Sequence, residues 1–262
     1  MTVLHAIVFG IVEGLSEFLP VSSTAHLIIT GKLMGLADTD FQKTFDVAIQ
    51  LGAILAVVVL YRKKCLFDSA VLMRVIVAFL PTAAVGFLLE KVIKNILFES
   101  MPTILTSLFI GGIVIILFER LHMEHDDSTK EITAMTPMQA FWIGCFQSLA
   151  VVPGVSRSAA TVLGGEAVGL TRKTSVDFSF LLAAPTMAAA TALEIFHARH
   201  EFTSANLTFL SVGFVVSFIV ALLAIRWLLA FVKHHSFAPF GVYRIVIAAA
   251  LAGASFLGAI TL

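Results

Sequence analysis

Residues 10–36 read GIVEGLSEFLPVSSTAHLIITGKLMGL, an apolar stretch that is interrupted at its centre by proline, serine and threonine. Residues 144–170, GCFQSLAVVPGVSRSAATVLGGEAVGL, have the same character, with a proline and two serines at the corresponding place. The apolar regions that contain these stretches run over residues 4–36 and 138–170. Each half of such a region has about 15 residues, and a helix of that length is too short to cross roughly 30 Å of hydrocarbon. Each stretch is therefore predicted to be either one broken helix or a re-entrant helix-loop-helix hairpin.

The two stretches are also similar to each other. A shift of 134 positions superposes them without a gap, and eight of the 27 residue pairs are identical. Because both interruptions fall in the same register, we interpret the chain as an internal repeat. If the interrupted stretches are re-entrant hairpins, each half crosses the membrane three times, and the halves have opposite orientations.

The composition is that of a membrane protein. Hydrophobic residues make up 59% of the 262 residues and charged residues only 13%, with a mean hydropathy of +1.00. These values exclude a disordered, collagenous or nucleic-acid-binding chain and argue against a single soluble domain. Six further segments have roughly the length of a membrane-crossing helix. They are Phe45–Leu60, Val71–Leu89, Ile104–Leu121, Val176–Phe196, Leu207–Val232 and Val242–Leu262.

The predicted fold class is therefore an all-α polytopic membrane protein with six transmembrane helices and two re-entrant helix-loop-helix hairpins in an inverted-topology repeat. We expect one integral membrane domain over residues 1–262, with repeat 1 at about 1–121, a loop at 122–136 and repeat 2 at about 137–262. The loops richer in lysine and arginine lie on one side, and the positive-inside rule assigns that side to the cytoplasm. The mouth of the first hairpin then faces outward, and the mouth of the second faces inward.

Two acidic residues lie inside the first interrupted stretch. Glu13 and Glu17 are spaced i, i+4 and share one face of a short helix. Two carboxylates this close in an apolar environment need a cation or a shared proton. A divalent cation with oxygen ligands, Mg²⁺ or Ca²⁺, satisfies that need, and the alternative is that both glutamates face an aqueous vestibule.

The first break is followed by hydroxyl groups and an imidazole. Ser22, Ser23 and Thr24 begin a new helix, and His26 follows one turn later. Free backbone N–H groups, the helix dipole and the hydroxyls form the outline of an anion site. Ser23 and His26, at i, i+3, could pair a nucleophile with a base or an acid. The alternative is an ordinary helix N-cap.

The second break repeats this arrangement and adds an arginine. Ser156, Ser158 and Thr161 supply hydroxyls, and Arg157 lies between the two serines. A guanidinium at a helix N-terminus within a membrane needs an anionic partner, and its planar fork fits a phosphate. The alternative partner is a glutamate of the first hairpin. If the two breaks meet, the set fits a phosphate together with a divalent cation.

Other polar residues are weaker candidates. Five charged residues lie near predicted span ends, where long side chains can reach the interface: Asp46, Asp177, Glu194, Arg226 and Arg244. Asp46 and Gln50 follow the first hairpin and could also line the cavity. Four histidines at positions 122, 125, 234 and 235 occupy polar loops without a matching set of metal ligands.

The motifs EGLSEFLPVSSTAH at Glu13–His26 and PGVSRSAAT at Pro153–Thr161 resemble those of the undecaprenyl-diphosphate phosphatases of the bacitracin-resistance type. The resemblance extends over essentially the whole chain, including KTFDVAIQLG at residues 43–52 and FSFLLAAP at residues 178–185. Small departures exist: Ala25 and Ala159 stand where many members have glycine, and Asp46 stands where glutamate is common.

The resemblance implies a multi-pass enzyme of the bacterial inner membrane that hydrolyses undecaprenyl diphosphate to undecaprenyl phosphate and inorganic phosphate. It further implies recycling of the lipid carrier for peptidoglycan synthesis, bacitracin resistance, dependence on Mg²⁺ or Ca²⁺, and a site open to the periplasm. Matched residue by residue, the family's acidic motif falls on Glu13 and Glu17, its proposed nucleophile on Ser23, its essential histidine on His26 and its arginine on Arg157. We expect membrane lipids and the lipid substrate as partners and no nucleic acid, and the sequence leaves open a homo-oligomer.

Three functions can be compared on these residues. In the first, Ser23 or an activated water attacks the phosphate while the glutamates hold a divalent cation, and Ser22, Thr24, Ser156, Ser158 and Thr161 bind substrate. The second is a lipid-phosphate transporter or flippase, for which inverted repeats with broken helices are typical. The third, a purely structural membrane protein, would not need Arg157 or paired glutamates. The combination of Ser23, His26 and two glutamates favours the hydrolase.

Overall fold

A computed structural model describes residues 1–36, 39–92, 100–124, 127–197 and 204–258. This part of the chain contains ten α-helices, two short 3-10 turns and no β-strand. The helices are α1 Val3–Ser16, α2 Ser23–Leu33, α3 Asp40–Phe67, α4 Ser69–Val92, α5 Met101–Leu121, α6 Pro137–Ser148, α7 Arg157–Ala167, α8 Arg172–His197, α9 Ser204–Phe231 and α10 Ala238–Phe256.

Six of these helices, α3, α4, α5, α8, α9 and α10, are long and apolar enough to cross a membrane. The predicted all-α, multi-pass architecture is confirmed. Some boundaries differ: α3 continues through the basic run at 62–64 to Phe67, and α10 begins at Ala238 and ends at Phe256. Residues 259–262 of the last predicted span lie outside the described residues. Large apolar side chains on these helices, such as Phe87 at 82% exposure, face outward, as contact with lipid requires.

The two interrupted stretches fold as two short helices each. Helix α1 has 14 residues and α2 has 11, and α6 and α7 have 12 and 11. At about 1.5 Å per residue, none of them is longer than about 21 Å. Each pair is therefore a helix-break-helix unit that is too short to span the bilayer with either half.

Local structure repeats in the register of the sequence repeat. Thr2 caps α1 through a capping box with His5, and Thr136, 134 residues later, caps α6 through a capping box with Gln139. Helices α2 and α7 begin at residues that are again 134 apart. The same sequence signals thus start corresponding helices in the two halves.

Packing between helices follows the same correspondence. Helix α1 packs on α9 of the other half, and the corresponding helix α6 packs on α4. Helices α5 and α10, which correspond to each other, are in contact and antiparallel, because Gly112 lies against Gly241 while Ile104 clusters with Ala248. Antiparallel counterparts are what an inverted repeat predicts. The orientation of the halves in the membrane stays a prediction.

Close backbone approach is needed where α6 meets α4. A Cβ built at Gly144 would overlap the carbonyl of Ala78 on α4. Gly10, the counterpart of Gly144, also lies close to a neighbouring helix, α9, where a Cβ would meet the Gly213 carbonyl oxygen at 2.8 Å. Small residues at these positions let the short helices approach their neighbours.

We expect Gly144→Ala to destabilise the protein by about 1–3 kcal/mol, because the added methyl group overpacks the α4–α6 contact. Thermal unfolding in detergent measures the effect. Gly86→Ala is the matched control, since a Cβ at Gly86 meets nothing within 4 Å and alanine favours helix. Equal melting temperatures of the two variants would contradict the packing argument.

Candidate active site

The first break is residues 17–22, between α1 and α2, and the second break is residues 149–156, between α6 and α7. Both breaks end in the same unusual backbone conformation. Ser22 has φ 72° and Ser156 has φ 76°, and they are the only non-glycine residues with positive φ in the described ranges. This region is strained for a residue with a side chain, and such strain is typical of functional sites. Each serine immediately precedes a helix, so the break directs the first turns of α2 and α7 in corresponding ways.

The two helix starts differ in how they are capped. Ser156 Oγ accepts a hydrogen bond from Ala159 N at 3.3 Å and so caps α7. Ser22 makes no such bond, so its side chain leaves the first-turn N–H groups of α2 uncapped. Uncapped N–H groups at the positive end of a helix favour an anion. The start of α2 is therefore the better candidate for phosphate.

Glu17 connects the two breaks. Its Oε2 accepts a hydrogen bond from Ser23 Oγ at 2.5 Å, and its Oε1 pairs with Arg157 Nη2 at 3.1 Å. Both partners of the ion pair are nearly buried, with side chains 6% and 12% exposed. The structure thus brings together three of the predicted catalytic residues. Of the two partners considered for Arg157, a phosphate and a glutamate of the first hairpin, the structure shows the glutamate. A carboxylate that accepts the serine proton lies at hydrogen-bond distance from it.

Arg157 makes two further contacts, one with each half of the chain. Its Nη1 donates to the Ser179 carbonyl oxygen at 2.9 Å, and its guanidinium lies 5.9 Å from the centre of the Phe18 ring. The Nε is buried and has no hydrogen-bond acceptor in the part of the chain that is described. Arg157 therefore has a donor available for a further acceptor at the site.

His26 does not form the predicted pair with Ser23. Its Nδ1 lies 2.8 Å from the Ser22 carbonyl oxygen, and its Nε2 lies 2.7 Å from the Tyr243 hydroxyl. A carbonyl can only accept, so Nδ1 carries a proton, and in the neutral imidazole Nε2 accepts from Tyr243. The rings are also stacked, with centroids 5.6 Å apart. His26 thus has the Ser22 carbonyl oxygen and the Tyr243 hydroxyl group of α10 as its partners, in place of Ser23.

Three hydroxyl groups of the second break that were predicted to bind substrate form hydrogen bonds within the protein. Ser158 Oγ donates to the Leu19 carbonyl oxygen at 2.8 Å and so joins the second break to the first. Thr161 Oγ1 lies 2.6 Å from Ser179 Oγ, and Ser156 Oγ caps α7. In the first break, Ser22 is buried and Thr24 half-buried. Substrate binding by these five hydroxyls stays a prediction.

Sequence reasoning missed two residues of α10. Tyr243 is not among the candidate site residues from the sequence, although its hydroxyl group holds His26. The interpretation of Arg244 as a span-end side chain that reaches the interface is wrong, because Arg244 is 0% exposed and donates to backbone carbonyls of both breaks. The only signal in the sequence was an arginine inside an apolar segment, which is costly without partners.

Glu13 is the residue best suited to a cation. It is 0% exposed, and neither carboxylate oxygen accepts a hydrogen bond from the described residues. Its charged neighbours are Glu17, Asp46 and Arg157, so the surroundings are net negative. A buried carboxylate without donors is costly, and a hard divalent cation satisfies it. Carboxylate oxygens are ligands that Mg²⁺ and Ca²⁺ prefer, but the described residues form no group of three or more His, Cys, Asp or Glu side chains that could hold a metal ion. A cation at Glu13 and Glu17 stays a prediction.

The corresponding position in the second repeat has different chemistry. Gln147, the counterpart of Glu13, is neutral, and its Nε2 donates to Thr82 Oγ1 at 2.9 Å and Thr186 Oγ1 at 3.1 Å. Val151 stands at the counterpart of Glu17. Only the first repeat therefore carries the acidic pair, and the second repeat contributes the arginine.

The chain is similar to known proteins over most of its length. The family described as bacitracin resistance protein BacA matches residues 6–250. An undecaprenyl-diphosphatase of Sulfurihydrogenibium sp. is 50% identical over 94% of this chain and 97% of its own length. Proteins with the same name from Aquifex aeolicus and Thermus thermophilus are 47% and 43% identical, over 94% and 95% of this chain and 96% and 95% of their own lengths.

We expect Glu13→Gln to raise the melting temperature in the presence of a chelator, because it removes the cost of burying an ionisable carboxyl group beside Glu17 and Asp46. Mg²⁺ at a hundredfold excess over its dissociation constant should stabilise the unsubstituted protein by about 2.7 kcal/mol and the variant far less. Thermal unfolding in detergent, with and without Mg²⁺, measures both effects. Glu131→Gln, at an exposed position, is the control. A variant with an undiminished Mg²⁺ shift would contradict the assignment.

Proposed function

The chain belongs to the bacitracin resistance protein BacA family, and from this membership and the geometry of the site we propose that it hydrolyses undecaprenyl diphosphate to undecaprenyl phosphate and inorganic phosphate. One observation carries the proposal: a single buried carboxylate, Glu17, contacts both the Ser23 hydroxyl of one break and the Arg157 guanidinium of the other. That contact joins a nucleophile, its base and a phosphate-binding cation. The names of the relatives favour hydrolysis over transport of a lipid phosphate.

In the proposed reaction, Ser23 Oγ attacks the terminal phosphorus of the diphosphate. Glu17 takes the serine proton, for which the 2.5 Å hydrogen bond is already in place. The bond from phosphorus to the bridging oxygen breaks, and undecaprenyl phosphate leaves. Water then attacks the phosphoserine and releases inorganic phosphate. Arg157 stabilises the charge that develops on the transferred and leaving oxygens.

His26 belongs to proton transfer in this scheme. Its Nε2 faces Tyr243 and not Ser23, so His26 is not the base that takes the serine proton. Glu13 and Glu17 would hold the divalent cation, which supplies positive charge to the diphosphate when bound. A variant without phosphoserine, in which Glu17 or His26 activates water directly, uses the same residues.

The apolar spans explain how such a site can serve a lipid substrate. The spanning helices have apolar side chains on their outer faces. A long prenyl chain can lie against these faces or in the surrounding lipid while the diphosphate enters the polar region between the breaks. We place the protein in the bacterial inner membrane with the mouth of the first hairpin toward the periplasm, as the loop charges favour. There it would recycle the lipid carrier for peptidoglycan synthesis and confer bacitracin resistance.

We expect purified protein in detergent to release phosphate from a long-chain prenyl diphosphate with Mg²⁺ or Ca²⁺ and to stop when a chelator is added. Arg157→Ala and Glu17→Ala should lower the rate at least about 100-fold, since each removes charge stabilisation or a proton acceptor. Arg74→Ala, which changes an arginine remote from the breaks, is the control. A folded protein that binds the lipid and releases no phosphate would contradict hydrolysis and favour transport.

The covalent route predicts a phosphoenzyme. Rapid-quench experiments with a substrate labelled in its terminal phosphate should trap a phosphoserine at residue 23 under single-turnover conditions, and Ser23→Ala should remove the label. An active enzyme in which no labelled protein accumulates, while Ser23→Ala keeps partial activity, would support direct attack by water.

A further inference from the structure

Arg244 is a fully buried arginine that uses every donor it has. The residue is 0% exposed, and its five N–H groups meet five backbone carbonyl oxygens. Nε donates to Leu108 at 3.2 Å, Nη1 to Pro20 at 3.3 Å and Val155 at 3.0 Å, and Nη2 to Ser107 at 3.1 Å and Gly154 at 2.7 Å. No N–H remains for a substrate, so Arg244 acts through the groups it binds.

These carbonyls come from three separate places. Pro20 belongs to the first break, Gly154 and Val155 belong to the second, and Ser107 and Leu108 belong to α5. Carbonyls at a helix break have lost their regular partners, and at membrane depth they must be satisfied inside the protein. One side chain of α10 satisfies carbonyls of both breaks and thereby fixes the distance between them.

The charge of Arg244 is also left available to the site. None of the described residues pairs a carboxylate with it. Carbonyl dipoles alone balance the guanidinium, so its positive charge adds to that of Arg157 at the place where the breaks meet. An anion at the breaks gains from this charge without touching the arginine.

We propose that Arg244 is a positioning residue of the hydrolase: it ties the two breaks together so that Ser23 and Glu17 of the first face Arg157 of the second, and it adds charge to the diphosphate site. The proposal rests on the proposed function. Its neighbour Tyr243 holds His26 from the same turn of α10, so this helix of the second repeat arranges the hairpin of the first.

Glycine on α5 makes room for the guanidinium. A Cβ built at Gly111 would overlap Arg244 Nη2 and lie 2.8 Å from Cζ. Gly111→Ala therefore displaces the guanidinium while the arginine and its charge are kept. On α10 itself, a Cβ at Gly253 meets nothing within 4 Å, so Gly253→Ala is its matched control.

Arg74 offers a matched control for the arginine. It lies on α4 and donates to the backbone carbonyls of Ala70, Thr133 and Met135, far along the chain from either break. Arg74→Lys thus disturbs three side-chain to backbone hydrogen bonds at a half-buried position, none of them to a break. Any general loss of stability should appear in both lysine variants.

The experiment compares Arg244→Lys and Gly111→Ala with Arg74→Lys and Gly253→Ala, using phosphate release, inhibition by inorganic pyrophosphate and melting temperature. A misplacement of about 1 Å costs roughly 100-fold, so we expect kcat/KM to fall by about that factor in the first two variants. KM and the inhibition constant of pyrophosphate should rise in both. The two controls should keep wild-type values per folded molecule, whatever their melting temperatures.

Arg244→Lys and Gly111→Ala with unchanged KM, kcat and pyrophosphate inhibition would overturn the proposal, as would an equal loss in Arg74→Lys. If the wild-type protein releases no phosphate, the proposed function fails, and pyrophosphate binding measured by calorimetry then decides on Arg244 alone. Weaker binding in Arg244→Lys than in Arg74→Lys would support its positioning role, and equal binding would overturn it.

Discussion

Backbone carbonyl and N–H groups at a helix break each need a hydrogen-bond partner where water is excluded, and this constraint shapes the molecule around its two breaks. The protein satisfies the carbonyls with side chains from elsewhere: Arg244 reaches Pro20 and Gly154, and Ser158 reaches Leu19. The uncapped N–H groups at the start of α2 are left for an anion. The carbonyl groups are thus satisfied within the protein, and the open N–H groups form a candidate binding site for an anion.

The two repeats have the same backbone conformation at their breaks but carry different charged and reactive side chains. Ser22 and Ser156 adopt the same positive φ, yet the first repeat carries Glu13, Glu17 and Ser23, whereas the second carries Arg157. In the proposed site, the negative ligands for a cation and the positive ligand for phosphate thus come from opposite halves. A site of this kind exists only when the halves are held together, which gives the buried Glu17–Arg157 ion pair both structural and chemical importance.

Much of the fold could be predicted because its signals are local. Hydropathy identified the six spans, and serines in a common register, each two or three residues after a proline, identified the two breaks. Reasoning about buried charge predicted convergence of these groups only on the condition that the two breaks meet, which the contacts of Glu17 with Ser23 and Arg157 fulfil. The partners of His26 could not be predicted, since Tyr243 lies 217 residues away and only tertiary packing brings it near. Arg244 was misjudged because a position near a span end permits both an interfacial and a buried side chain.

The central claim is that the two breaks form one diphosphate site. The most direct test is an experimental structure of the protein with Mg²⁺ and a prenyl diphosphate analogue whose bridging oxygen is replaced by methylene. The account predicts that the diphosphonate lies between Ser23 and Arg157, at the start of α2, and that it replaces the Glu17–Arg157 contact with a phosphonate–Arg157 contact. A diphosphonate bound elsewhere, with the Glu17–Arg157 pair intact, would contradict it.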